Sequence, residues 1–418
     1  MQISLNMPEK LTARIALPAS KSVSNRALLL QALCPVVRYA IENLAVCDDT
    51  DHMLRGVEAK RAGASLIDVG ATGTAMRFLT AYLAIAEGEA VLTGSERMQQ
   101  RPIGVLVEAL RTLGADIDYV NKEGYPPLCV RGKKLRGGTL EVDASISSQY
   151  ISALLMIAPC LSDGLTLRLK GNIASRTYIE LTLDLMRRYG AIAEWVDRQS
   201  IRVWPGSYED VPLAVEADWS AASYWYELAA IAIHMGCDVD FVLPALTPDS
   251  RQGDRVVAQL FEPLGVKTEY TNEGVRLLNS EFIVHNSELD FTHCPDIAQT
   301  LAVTCCLLGV PYVFKGVHSL RIKETDRVGA LITELRKLGY VLRAEGDELL
   351  VWDGTRCEAE SAPTIATYDD HRMAMSFAPA ALCFGGLTIE HPEVVAKSYP
   401  GFWKEVKKLQ IESFLQNY

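Results

Sequence analysis

A chain of 418 residues carries too much material for one hydrophobic core and suits two domains of about 200 residues each. With 49% hydrophobic residues, mean hydropathy close to zero and no run resembling a membrane span, it reads as an ordinary soluble globular protein. A formal net charge of −11 at pH 7 argues against nucleic acid as a partner, since proteins that bind it usually gather a basic face with interleaved aromatics.

The opening residues Met1-Gln2-Ile3-Ser4-Leu5-Asn6 have no basic stretch followed by an apolar core. They read as a strand and not a signal peptide, which implies a cytoplasmic location. Further along, at Ser20, Thr72, Ser147, Asp218, Asp296 and Asp370, a short β-type run ends in a small polar residue and breaks into a long, mostly apolar helical stretch. A helix start presents unpaired N–H groups and the positive end of the helix dipole, so six of them can build an anion-holding surface. Between these starts a second pattern recurs, an amphipathic helix that closes on Gly and is followed by a β-rich run. It spans Val105 to Tyr119, Leu183 to Val196, Ala258 to Tyr270 and Ile332 to Leu342, with a weaker copy ending at Ala62-Gly63. Gly falls where a helix C-cap needs a left-handed residue. Together the two patterns predict a unit of two helices and about four strands recurring roughly every 75 residues, a packed subdomain and not a solenoid repeat. Three such units fit each domain.

Ten cysteines are scattered without Cys-x-x-Cys or Cys/His spacing suited to a metal. Cys160, Cys305, Cys306 and Cys383 lie in apolar helical runs and are expected as reduced core residues.

Because the protein is acidic overall, it must concentrate positive charge locally to draw in an anion. The segment Pro18 to Arg26 puts Lys21 at a helix start with Arg26 a turn and a half along. Gly70 to Arg77 is a glycine-containing turn entering a helix, where backbone can approach a ligand closely, yet it lacks the Gly-Lys-Ser/Thr ending of a P-loop. Ser147-Ser148-Gln149 brings two hydroxyls and an amide to a third start. The densest cluster is Arg321-Ile322-Lys323-Glu324-Thr325-Asp326-Arg327, ahead of a helix that Thr325 or Asp326 would cap. There Lys323, Glu324 and Arg327 offer a cation, a titratable carboxyl and a guanidinium fork. Asp369-Asp370-His371-Arg372 and Lys397 complete the charged set. Taken alone, Asp296 and Asp218 read as plain helix caps.

In these motifs the chain resembles the 5-enolpyruvylshikimate-3-phosphate synthase family across its whole length. The resemblance rests on KSVSNRALLL from Lys21, GTAMR from Gly73, RPIG from Arg101, SSQ from Ser147, SRTY from Ser175, PD from Pro295, KETDR from Lys323, DHRMAM from Asp370 and AKSYP from Ala396, in the family's order. It implies an α/β (α+β) fold, a two-domain inside-out α/β barrel of six βαβαββ repeats, three per domain, with the active site in the interdomain cleft. It implies one domain of residues 1–19 with 218–418 and another of 20–217, the chain crossing near Ala19 and Ala217.

The implied reaction moves the enolpyruvyl group of phosphoenolpyruvate to the 5-hydroxyl of shikimate 3-phosphate and releases phosphate through a tetrahedral intermediate. Two phosphates and two carboxylates bring about five to six negative charges together. Lys21, Arg26, Arg101, Lys323, Arg327, Arg372 and Lys397 answer them, so neither a metal nor a cofactor is expected. By the resemblance, Asp296 and Glu324 handle protons with Lys21 assisting. Shikimate 3-phosphate meets Lys21, Ser22, Arg26, Ser147, Ser148, Gln149, Ser175, Tyr178, Asp296 and Lys323, while phosphoenolpyruvate meets Lys21, Gly73, Arg101, Gln149, Arg327, Arg372 and Lys397. His371 reads as a supporting or capping residue, and Tyr178 fits core packing as well as binding. A monomer acting on small molecules, without nucleic acid or membrane, follows.

Departures from the family pattern are Ala71 and Thr72 in the glycine turn, Phe78 in place of a usual Pro, Thr177 in place of another, and Ser319 for a usual Asn. The glycine turn shapes the pocket where glyphosate binds in this family. Two other readings stand beside the first. One is an enolpyruvyl transferase for UDP-N-acetylglucosamine, whose loop cysteine motif has no counterpart here. The other is a non-catalytic small-anion binding protein, against which Lys21, Asp296 and Glu324 argue.

Overall fold

The computed structural model describes residues 8–145, 147–284 and 287–409. The strand expected over Met1 to Asn6 lies outside the described residues. The chain divides into two compact units, Met1–Pro18 with Glu216–Tyr418, and Ala19–Val215.

In the unit Ala19–Val215, helices Lys21–Leu33, Gly73–Ile85 and Ser148–Ile157 pack on one another. Gly73–Ile85 and Ser148–Ile157 are apolar on nearly every face, and a helix of that kind is stable only where every face is covered. Gly73–Ile85 accordingly buries every residue except Thr74 and Ile85. Around these helices lie two four-stranded sheets. The first runs Leu66–Asp68, Gly88–Thr93, Leu128–Gly132, Asp116–Tyr119, and the second Gly138–Asp143, Leu165–Lys170, Ser200–Val203, Ala193–Trp195. In both, the first pair is parallel and the rest antiparallel. A third sheet is only the parallel pair Ile41–Glu42 and Leu213–Ala214. Strand side chains alternate: Leu140, Val142, Leu167 and Leu169 turn inward, Glu141, Arg168 and Lys170 outward. Helices are therefore inside and sheets outside.

The unit of Met1–Pro18 with Glu216–Tyr418 repeats this plan. Helices Trp219–His234, Ala298–Leu307 and His371–Phe377 pack together. The sheets are Lys10–Arg14, Asp238–Pro244, Gly274–Phe282, Leu264–Thr271, then Ser287–Asp290, Tyr312–Lys315, Leu349–Trp352, Arg343–Glu345, and the pair Thr364–Ile365 with Thr388–Ile389. Among the described residues, four of the six sheets have the expected four strands and two have two. After Ile41–Glu42 the helix Asp48–Arg61 runs almost directly into Leu66–Asp68, leaving no chain for a hairpin. After Thr388–Ile389 the chain turns helical at Pro392–Lys397 and Phe402–Lys408.

The local signals act through backbone hydrogen bonds. Gly114, Gly190, Gly265 and Gly339 have φ of +97, +86, +90 and +88°. Past three of them the next residue reaches back to close the helix end, with Ala115, Ala191 and Tyr340 N–H donating to Leu110, Met186 and Leu335 at 2.9, 2.9 and 3.0 Å. Ser20, Ser147, Asp218 and Asp370 cap their helices, accepting from Val23, Gln149, Ala221 and Arg372 N–H. Thr72 occupies the cap position without a side-chain cap bond. Asp296 is not a cap. It sits inside the 3-10 turn Pro295–Ile297, because its carboxylate is drawn into ion pairs.

All ten cysteines are free. Cys305 and Cys306 are buried as expected, whereas Cys160 and Cys383 are exposed, each at the point where a 3-10 turn ends and the chain leaves the core. No described helix is long and apolar enough to cross a membrane.

Candidate functional site

In the unit Ala19–Val215, Lys21, Gly73, Ser147, Ser148, Gln149 and Ser175 fall at helix starts. Lys21 begins its helix and pairs through Nζ with Asp49 Oδ2 at 2.8 Å. Arg26, on the same helix, is buried and donates to the Ser22 carbonyl at 3.0 Å and the Tyr178 carbonyl at 3.4 Å. Its guanidinium also lies over the Tyr178 ring, so Ser22, Arg26 and Tyr178 come together. Gly73 begins the helix Gly73–Ile85 against Arg101, and a Cβ added at Gly73 would sit 2.8 Å from both Nη1 and Nη2 of Arg101. Only glycine leaves the guanidinium that place.

Gln149 Nε2 donates to Thr74 Oγ1 at 3.2 Å, which joins the start of Ser148–Ile157 to the Gly73 turn. Ser147 caps and Ser148 begins that helix. Ser175 precedes Arg176–Arg188 in a left-handed conformation, φ 54°, with its side chain making no cap bond.

In the other unit six predicted residues form one network. Arg327 begins the helix Arg327–Lys337, which Asp326, not Thr325, caps through Gly329 N–H. Its buried guanidinium holds three carboxylates: Nε to Asp370 at 2.7 Å, Nη1 to Asp296 at 3.1 Å and Nη2 to Glu324 at 3.0 Å. Asp296 Oδ1 also lies 3.4 Å from Lys323 Nζ, and Oδ2 lies 3.3 Å from Arg372 Nη2. Glu324 Oε1 meets Lys397 Nζ at 2.9 Å. Four cations thus surround Asp296, Glu324 and Asp370. Burial, resisted by Asp296, pulls the Lys323 amine below its ordinary value. Arg327 is held above its own by Asp370, Glu324 and Asp296 despite burial. Cations gathered in a poorly hydrated setting suit an anion.

His371 is buried, with Nδ1 3.7 Å from Asp370 Oδ1, which fits a supporting role. Among the described residues no group of His, Cys, Asp or Glu is arranged to hold a metal ion.

Sequence reasoning missed three acids. Asp49, in the first turn of Asp48–Arg61, was given no role, and Asp370 was placed in the charged set but not against Arg327. Asp254 lay in no motif. It is buried, accepts from Ser220 Oγ, and burial with the charge of Asp296 pushes it up to about 6. The Gln252-Gly253-Asp254 turn meets the Asp218 helix start only in the fold, where Trp219 N–H donates to Gln252 Oε1 at 3.1 Å.

The sequence profile of the EPSP synthase family, described as 3-phosphoshikimate 1-carboxyvinyltransferase, matches residues 5–65 and 56–406. A protein named "3-phosphoshikimate 1-carboxyvinyltransferase" from Bacteroides fragilis is 51% identical over 408 residues, covering 98% of both chains. One of the same name from Colwellia psychrerythraea is 37% identical over 433 residues, covering 98% of this chain and 99% of its own. The solved structure of EPSP synthase from Acinetobacter baumannii superposes with a TM-score of 0.74 at 20% identity, over 97% of each chain, and so shares the fold. By its profile match and its full-length likeness to these relatives, the chain belongs to the EPSP synthase family.

Proposed function

We propose that this protein transfers the enolpyruvyl group of phosphoenolpyruvate to the 5-hydroxyl of shikimate 3-phosphate, a step of aromatic amino acid biosynthesis, as a cytoplasmic monomer. A proton adds to the methylene carbon of phosphoenolpyruvate, the central carbon becomes electrophilic, and the hydroxyl attacks it while giving up its own proton. The resulting ketal phosphate loses phosphate by C–O cleavage and a methyl proton leaves, restoring the vinyl group. The chemistry needs an acid, a base and a strongly anion-binding site.

The observation that carries this reading is the buried guanidinium of Arg327 with Asp296 and Glu324 on it, each acid also meeting further cations. Two proton-handling carboxylates are thereby fixed in orientation within a cationic setting. We assign Asp296 and Glu324 to the proton transfers, with Lys21 assisting at the hydroxyl or the leaving phosphate. Arg101, Arg327, Arg372, Lys397, Lys21, Gln149 and the Gly73 turn take phosphoenolpyruvate. Ser147, Ser148, Ser175, Tyr178, Gln149, Ser22, Arg26, Lys21, Asp296 and Lys323 take the phosphorylated acceptor. Support comes from Arg26, a buried cation held by neutral oxygens, and from Arg101 packed on Gly73.

The test is phosphate release by the purified protein given both substrates. Release that requires shikimate 3-phosphate supports the reading, while release with UDP-N-acetylglucosamine instead, or tight binding without release, refutes it.

A further inference from the structure

Arg26 is only 3% exposed, yet every described hydrogen-bond partner of its guanidinium is a neutral oxygen. Nε donates to Thr182 Oγ1 at 2.7 Å, Nη1 to the Ser22 carbonyl at 3.0 Å, and Nη2 to Ser152 Oγ at 3.2 Å and the Tyr178 carbonyl at 3.4 Å. Four of the five N–H groups are thus occupied, and the second N–H on Nη1 has no acceptor among the described residues. Burial draws the group down to about 10, still cationic at neutral pH. A buried cation held this way carries an uncompensated charge, so it must be steadied by something other than a carboxylate.

Two aromatic faces do this. The guanidinium carbon lies 5.4 Å from the centroid of Phe78 and 5.7 Å from that of Tyr178. Tyr178 also supplies a carbonyl, but Phe78 is fully buried, has no polar atom and reaches Arg26 only through its ring. It belongs to the helix that begins at Gly73.

We propose that Phe78 is a positioning residue for Arg26, its ring holding the guanidinium so that the remaining Nη1–H points at the acceptor substrate and sets the affinity for shikimate 3-phosphate. This rests on the function proposed above. With four N–H groups fixed to the protein, a small tilt of the planar fork misdirects the fifth, so loss of one ring face weakens the ligand's bond without removing the residue that makes it.

The experiment is a phosphorus NMR titration of the full-length protein with shikimate 3-phosphate, which follows weak as well as tight binding. Phe78→Leu keeps the bulk and removes the ring; its Kd should rise about 2- to 30-fold, and Phe78→Tyr should restore it. In an Arg26→Gln background, Phe78→Leu should have no further effect, a coupling that a merely structural role would not produce. Phe78→Met serves the same cycle if the leucine variant does not fold. Unchanged binding in the ring-less variant, or an equal loss in both backgrounds, overturns the proposal. If the wild-type protein itself does not bind shikimate 3-phosphate, the functional reading falls and this inference with it.

Discussion

Lys397 Nζ lies 2.9 Å from Oε1 of Glu324, while the other oxygen of that carboxylate is held by Arg327 at 3.0 Å. Gripped at both oxygens, the side chain is fixed before any ligand arrives, which is what a proton-transfer group needs. Glu324→Gln keeps the shape and removes the proton. We expect kcat to fall about 100-fold or more with Kd values for both substrates within a few-fold of wild type. Steady-state kinetics with direct binding measurements decides it, and a variant as fast as wild type removes Glu324 from the proton traffic.

Arg372 touches Asp296 twice, through Nη2 to Oδ2 at 3.3 Å and Nη1 to the carbonyl at 3.1 Å, and donates to Tyr224 Oη at 3.4 Å. Its guanidinium therefore braces Asp296, and in the function proposed above it also takes phosphoenolpyruvate. In Arg372→Ala, KM for phosphoenolpyruvate should rise about tenfold or more, ahead of any change in KM for shikimate 3-phosphate. Lysine should rescue it only in part, because a point charge cannot make the forked contact.

At Gly73 the prediction is steric. A Cβ there meets both terminal nitrogens of Arg101 at 2.8 Å, closer than real contacts allow, so the guanidinium must move away. Gly73→Ala should fold normally, since Ala is the better helix former. We expect it to raise KM for phosphoenolpyruvate by about tenfold, with kcat less affected. A KM equal to wild type would show that Arg101 relaxes without cost.

Two buried carboxyls give the pH dependence of stability. Asp254 is pushed up to about 6, first by burial and then by the charge of Asp296, from about 3.9 in an unfolded chain. A raised folded value means that its contribution is fully present below about 4 and is lost as pH climbs to about 6. Glu227 lies fully buried on the helix Trp219–His234, with the Thr304 hydroxyl beside its carboxyl. Burial pushes it well above the carboxylate range, so its loss begins near pH 4.3 and continues at higher pH. Thermal unfolding from pH 4.5 to 8 should therefore show Asp254→Asn flattening the acid side of the wild-type decline, and Glu227→Gln flattening the remainder. Parallel curves for wild type and variants would contradict both assignments.

The parts of this protein governed by neighbours in the chain were legible in its residues. A Ser or Asp that accepts a backbone N–H two or three positions on, and a Gly that turns left-handed to close a helix, act over a few bonds of chain. Hence the helix starts at Ser20, Ser147, Asp218 and Asp370 and the closing glycines were recognisable directly. Motif order likewise carried the family.

Only the folded units decided how the charges are partnered. Asp296 offered the same local signal as Asp218, but its carboxylate lies against Arg327, Lys323 and Arg372. Lys21 found Asp49, Arg26 found two hydroxyls and two carbonyls, and Asp254 came to lie beside the network without belonging to any motif. Capping depends on torsions within one turn, whereas ion pairing and desolvation depend on which helices pack together. That packing brings residues from distant parts of the chain to within 3 to 4 Å, a distance that sequence spacing does not encode.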